Sequence, residues 1–316
     1  MANLMPPEMQ QAMENTGRPG FFKDYIQQEI ALYLQDLYRF FKLSSFHKGY
    51  NNPFEQFLQP EDFPAFSAVL RTEEFYMQLV DFFLERKEYE TADYYCEQIG
   101  LMEPMERSAT WLQKWAYCCE KEEDYEEAYK LLKEAHQLNP NDVWTIQHLI
   151  YCIKNLFWDE EEVVQLYRKL LTLQPENQKF TLKLAKLQED RGYYEEALQL
   201  YFKLYYWNSE KVEAWKGIAH CSLHMEKLEQ AEKFLRMIPE EELDEADLRT
   251  WGHIELLRGD VQKAFTLYKN AFDRVKEIEQ EAFVSGMERD MSTMEKLGIE
   301  RETMQMITDL SCEEYE

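Results

Sequence analysis

Tyr125-Glu126-Glu127-Ala128 and Tyr194-Glu195-Glu196-Ala197 are the same four residues met twice, and three further stretches keep their form: Tyr89-Glu90-Thr91-Ala92, Leu228-Glu229-Gln230-Ala231 and Val261-Gln262-Lys263-Ala264. Glu160-Glu161-Glu162-Val163 is a sixth, degenerate copy. A large residue, two polar ones and a small one open an amphipathic helix. Copies in register with a period of about 34 residues specify a stacked array of helix pairs rather than one globular core. Taking the alanine as unit position 20 puts repeat starts near Glu73, Ala109, Val143, Gln178, Val212 and Glu245.

That register predicts where the helices touch. Position 8, where the first helix of a pair (helix A) must approach its neighbour closely, carries Val80, Ala116, Ile150, Ala185, Ala219 and Gly252. Position 7 carries the large Leu79, Trp115, Leu149, Leu184, Ile218 and Trp251, and position 24 carries Cys96, Leu132, Tyr167 or its neighbour, Tyr201, Leu235 and Tyr268. These knobs pack between the helices of a pair and onto the next unit. Pro104, Pro140 and Pro175 close the first three units, where helix B must stop. Gly192 and Gly259 fall at the turn between helices A and B. The third unit departs most, with Ile150 at the close-packing site and an extra residue before Val163.

This spacing of Trp/Leu, Gly/Ala, Tyr, Ala, Phe/Tyr, Ala and Pro over about 73–275 resembles the tetratricopeptide repeat. The resemblance implies an all-α, right-handed α-α superhelix whose concave face, lined by helix A, takes a protein or peptide partner. Six repeats are expected, at 73–108, 109–142, 143–177, 178–211, 212–244 and 245–274. The aromatic content and the end pattern Leu297-Gly298-Ile299, followed by a short amphipathic helix, are similar to tetratricopeptide proteins of the Bacteroidetes type. On that likeness the chain is the C-terminal part of a longer repeat protein.

Helices are expected at both ends. From Phe21 to Leu43 apolar residues recur every three or four positions, which gives a capping helix. Residues 44–70, with Pro53, Pro60, Pro64 and many phenylalanines, read as a packed connection, so 21–72 forms the N-terminal cap after a frayed 1–20. Residues 275–316 supply C-terminal capping helices and a tail, since a stack needs a polar outer face at its end.

Composition bounds the function. The 316 residues hold only ten glycines and ten prolines, and a formal net charge of −26 repels nucleic-acid phosphates and anionic lipid. No basic, apolar leader begins the chain, no long apolar run exists, and the six cysteines lack paired spacing. The expectation is a cytoplasmic protein with reduced core thiols, binding neither nucleic acid nor membrane. Cys118 and Cys119 point about 100° apart on one helix and read as buried rather than redox-active. No GxSxG, glycine-rich phosphate loop or CxxC occurs, so an enzyme is not expected.

Helix A positions 2, 5, 6, 9, 12 and 13 place Lys114, Lys121, Lys154, Lys179, Lys183, Lys186, Lys216 and Arg249 on the concave face, against Glu120, Glu189, Asp190 and Glu213. His148, His220, His224 and His253 share that face with Tyr117, Trp144 and Tyr151. Repeat one is acidic there, with Glu74, Asp81 and Glu85. Cations, imidazoles and aromatic rings together suit an acidic or C-terminal peptide segment. No helix A pairs Lys at position 5 with Asn at position 9, the arrangement that the family's chaperone-tail clamps use.

His220 and His224 stand at i and i+4, a spacing that puts two imidazoles on one helix face. Without an HExxH arrangement or a second cluster nearby in sequence they read as groove-lining groups, and no metal or cofactor is assigned. Met287, Met291, Met294, Met304 and Met306 form a stripe read as core filling under the cap. The reading is a non-enzymatic interaction scaffold. Its alternative is a structural subunit that self-associates or continues a longer solenoid through its terminal helices.

Overall fold

A computed structural model describes residues 32–33, 35–37, 39–40, 71–102, 107–156, 159–275 and 280–312. Of the N-terminal cap, only the helical residues between 32 and 40 and the approach to the first repeat fall within that set; the rest, with Pro104 and the tail, lies outside it. The chain divides into two units, residues 1–79 with 98–102, and residues 80–97 with 103–316. Among the described residues all regular structure is helical, and no helix is long and apolar enough to cross a membrane.

The helices come in pairs: α1 (Glu73–Arg86) and α2 (Tyr89–Gly100), α3 (Ala109–Lys121) and α4 (Tyr125–Leu138), α5 (Val143–Leu156) and α6 (Glu160–Leu173). Then follow α7 (Gln178–Asp190) and α8 (Tyr194–Tyr206), α9 (Lys211–His224) and α10 (Leu228–Leu235), α11 (Glu245–Leu257) and α12 (Val261–Arg274). Two further helices, α13 (Gln280–Lys296) and α14 (Arg301–Cys312), end the second unit, which is a helical-repeat solenoid.

Among the described residues, five turns from helix A to helix B are made by one left-handed residue at unit position 15: Lys87 (φ 61°), Glu123 (64°), Gly192 (78°), Glu226 (61°) and Gly259 (84°). The next residue's N–H then reaches back five residues to close the helix, as in Asp124 to Cys119 O, Tyr193 to Gln188 O and Asp260 to Glu255 O, at 2.9, 2.8 and 3.0 Å. Asp124 and Asp260 go on to cap the following helix by accepting from the N–H groups of Glu127 and Lys263.

The register of small and large residues sets the packing. Ala116, Ala185 and Ala219 are wholly buried. A Cβ at Gly252 would stand 2.4 Å from the Tyr268 ring, and one at Gly217 would stand 2.2 Å from the Tyr201 ring. The position 24 tyrosines therefore press on helix backbone, and only hydrogen fits beneath them. Met287, Met291, Met294 and Met304 fill the core beside Phe272 and Phe283, while Met306 is exposed. The cysteines are free, and the five preceding Cys312 are buried.

Candidate functional site

Several cations of the predicted groove meet a carboxylate from another helix. Lys114 pairs with Asp81 at 2.5 Å, Lys186 with Glu213, and Lys216 with Asp244 and Asp247 at 2.6 and 2.9 Å. His148 Nδ1 lies 2.7 Å from buried Glu120, and His220 Nδ1 lies 2.5 Å from Glu189. The expected surplus of positive charge is therefore neutralised along much of this face. Counting only the groove positions of helix A missed Asp244, which caps α11, and its capping-box partner Asp247 in the first turn of that helix.

Over repeats two and three the aromatic groups cluster. The Trp144 ring stacks on His148 with centroids 3.7 Å apart, and Tyr117 meets both edge-on or tilted at 6.1–6.4 Å. Lys121 lies over the Tyr117 ring at 4.9 Å, and exposed Tyr151 packs edge-on against Tyr125. Further along, Lys154 Nζ sits 5.9 Å from the Tyr167 ring. Desolvation, and then the charge of Lys183 on the next helix A, hold the Lys154 ammonium below its ordinary lysine value.

The far end of the face is covered. Arg249 and His253, expected in an open groove, are buried beneath α13, and His224 has 3% of its side chain exposed. Asp290 of α13 accepts from Arg249 Nε at 2.8 Å and lies 3.0 Å from His253 Nε2, whose other nitrogen meets the Tyr268 hydroxyl at 2.8 Å. Burial would raise Asp290, but His253 and Arg249 hold it well below the carboxylate range. For His253, burial outweighs the Asp290 carboxylate and lowers the imidazole. The missed signal was Asp290 itself, a carboxylate three residues after Met287 on the apolar stripe of Met287, Met291 and Met294.

Between α7, α9, α11 and α13 lies a cavity of about 420 Å³. Lys186, Lys216, Arg249 and Arg289 line it against Glu189, Asp190, Glu213, Asp244, Asp247 and Asp290, so its wall is net acidic. Burial first, and Asp244 second, push the Asp247 carboxyl up to about 6. His220 borders this cavity, and α9 carries His224 one turn on, with His224 Nε2 3.0 Å from His220 Nε2. His224 Nδ1 meets Thr293 Oγ1 at 2.8 Å, and its ring stacks on Tyr194 at 4.1 Å. Burial opposes a charge on His220, but the Glu189 carboxylate prevails and lifts it; burial and that charge together pull His224 down to about 3.

Residues 190–250 match the model of the tetratricopeptide repeat family. A search of curated proteins finds no sequence match. A tetratricopeptide repeat protein from Parabacteroides merdae superposes with a TM-score of 0.50 over 76% of this chain and 98% of its own, at 15% identity. MamA (41-end) from Desulfovibrio magneticus RS-1 gives 0.45 over 54% and 96%, at 18% identity. YrrB, described as a repeat protein with an unusual peptide-binding site, gives 0.46 over 56% and 92%, at 15% identity. At 15% identity the first of these structures speaks to fold alone. Residues 190–250 thus carry the tetratricopeptide repeat, and helix pairs of the same repeat architecture flank them on both sides.

Proposed function

We propose that this protein is a non-enzymatic scaffold that binds an extended, acidic peptide segment across the helix A face of repeats two to four. The fold supports protein–protein interaction in general, and its family is generally non-catalytic. Within that frame one observation carries the finer reading: Lys154 and Lys183, on successive A helices, are close enough for one charge to depress the other. A partner carboxylate between them relieves that repulsion, and the neighbouring Trp144, Tyr117 and Tyr151 rings offer stacking surface for its flanking residues. Lys186 and Lys216 reach a partner only once it displaces Glu213 or Asp244. A cytoplasmic setting agrees with the free, buried thiols.

Union through the terminal helices draws less support, since four of the five stripe methionines are consumed by packing within the second unit. Fluorescence anisotropy with labelled acidic, neutral and basic decapeptides tests the proposal. Acidic peptides should bind best, and the double variant Lys154→Glu/Lys183→Glu should weaken them about tenfold or more at unchanged melting temperature. Equal binding of basic peptides, or unchanged affinity in the double variant, overturns it.

A further inference from the structure

We propose that His220, His224 and Asp290 form a binding site for one divalent transition-metal ion of the zinc class, joining the fifth repeat to the C-terminal helix α13. Their ligand atoms lie within 4.8 Å of one another. Both histidines project from one face of α9, and the carboxylate arrives from an element 66 residues later in the chain than His224.

The proton positions make the case. Glu189 can only accept, so the proton on His220 sits at Nδ1, 2.5 Å from the carboxylate, and Nε2 of the neutral ring carries a bare lone pair. His224 Nδ1 lies 2.8 Å from Thr293 Oγ1, which can accept its proton; in that tautomer Nε2 of His224 is bare as well. The two bare nitrogens face each other at 3.0 Å, with Asp290 Oδ1 3.9 Å from the second. Three electron-rich atoms converge on one point, and a positive charge belongs among them. A proton shared between the rings supplies it when no ion is bound; a metal ion supplies more and releases that proton to solvent, with no change of oxidation state.

The surroundings fit an ion. Tetrahedral zinc at Zn–N distances of about 2.0–2.1 Å sets its nitrogen ligands about 3.4 Å apart, close to the spacing here. Each ligand has an outer partner that fixes its aim: Glu189 for His220, Thr293 for His224, and Arg249 with His253 on the second oxygen of Asp290. The cavity wall beside His220 and Asp290 leaves the fourth coordination position open to water or to a partner's side chain. Two imidazoles and one carboxylate favour zinc, cobalt or nickel over magnesium or calcium, which want an oxygen shell.

The experiment titrates the full chain, stripped with chelator, with Zn²⁺ by calorimetry and with Co²⁺ by visible absorption. The expected result is one ion per chain, a raised melting temperature and a cobalt ligand-field band. His220→Ala and His224→Ala abolish the band, and Glu189→Gln weakens zinc affinity about 10–100-fold while keeping one ion per chain. X-ray absorption of the zinc-loaded wild-type protein, which needs no variant to fold, should show imidazole and carboxylate ligation. Absence of micromolar zinc binding, binding unchanged in both histidine variants, or sulfur ligation at the cysteines each overturns the proposal.

Discussion

The turn between the two helices of a repeat rests on a single residue in the left-handed region, and the chain fills that place in two ways. Gly192 and Gly259 adopt it without steric cost, whereas Lys87, Glu123 and Glu226 hold a Cβ against the following carbonyl. Glu226→Gly should therefore raise stability by about 0.5–1 kcal/mol, and Gly259→Ala should lower it by about 1 kcal/mol, although nothing lies within 4 Å of the alanine methyl. Urea denaturation of the two variants beside the wild type checks both signs. The glycines at this position were legible in sequence as breakers at a fixed register. The glutamates were not, because nothing in Glu226 alone announces a positive φ.

At the scale of one helix, the start of α11 joins capping to charge. Asp244 accepts the N–H of Asp247, Asp247 accepts the N–H of Asp244, and Lys216 of the preceding repeat bonds to both carboxylates. The Asp247 carboxyl rises from 3.8 to about 6 on folding, so between those values the folded chain keeps a proton that the unfolded chain has lost. Its contribution to stability is therefore complete below about pH 4 and is lost as the pH rises through 6. Asp247→Asn, which can still accept the backbone N–H, should gain on the wild type by on the order of 1 kcal/mol as the pH is raised from 4 to 7. Melting curves across that range decide it; a constant difference would refute the assignment. The amphipathic period made these helices readable, since apolar spacing reports which face is buried. Charge on the groove face was misjudged because the compensating carboxylates arrive from other helices, at separations of 27–31 residues for Lys186, Lys216 and His220.

Across the second unit, stability is a sum over neighbours, and α13 closes the last term. Asp290 is the one anion shared by buried Arg249 and His253 among the described residues. Removing it by Asp290→Ala leaves a buried guanidinium held only by Glu245 and should cost about 3–5 kcal/mol. Because each repeat touches only its neighbours, hydrogen exchange should accelerate over 245–257 and 280–312 while 109–190 keep their protection. Uniform acceleration would show instead that the array unfolds as one body. The repeat register was visible in the chain because alanine and glycine recur where backbones meet. A capping helix was expected from the methionine stripe, but its closure on Arg249 and His253 through Asp290 was not, since a helix outside the period offers no register for its partners.

The buried cysteines give the molecule an internal clock. Cys96, Cys119, Cys152 and Cys221 stand in four different repeats; a hydrogen bond with Cys118 and then burial push the Cys96 thiol up, and burial pushes up the other three, away from the reactive thiolate. None can be alkylated until its own helix pair opens. Each thiol's rate of modification therefore timestamps the breathing of one repeat, and a ligand seated on repeats two to four would reveal its footprint by slowing Cys119 and Cys152 while Cys221 keeps its native pace.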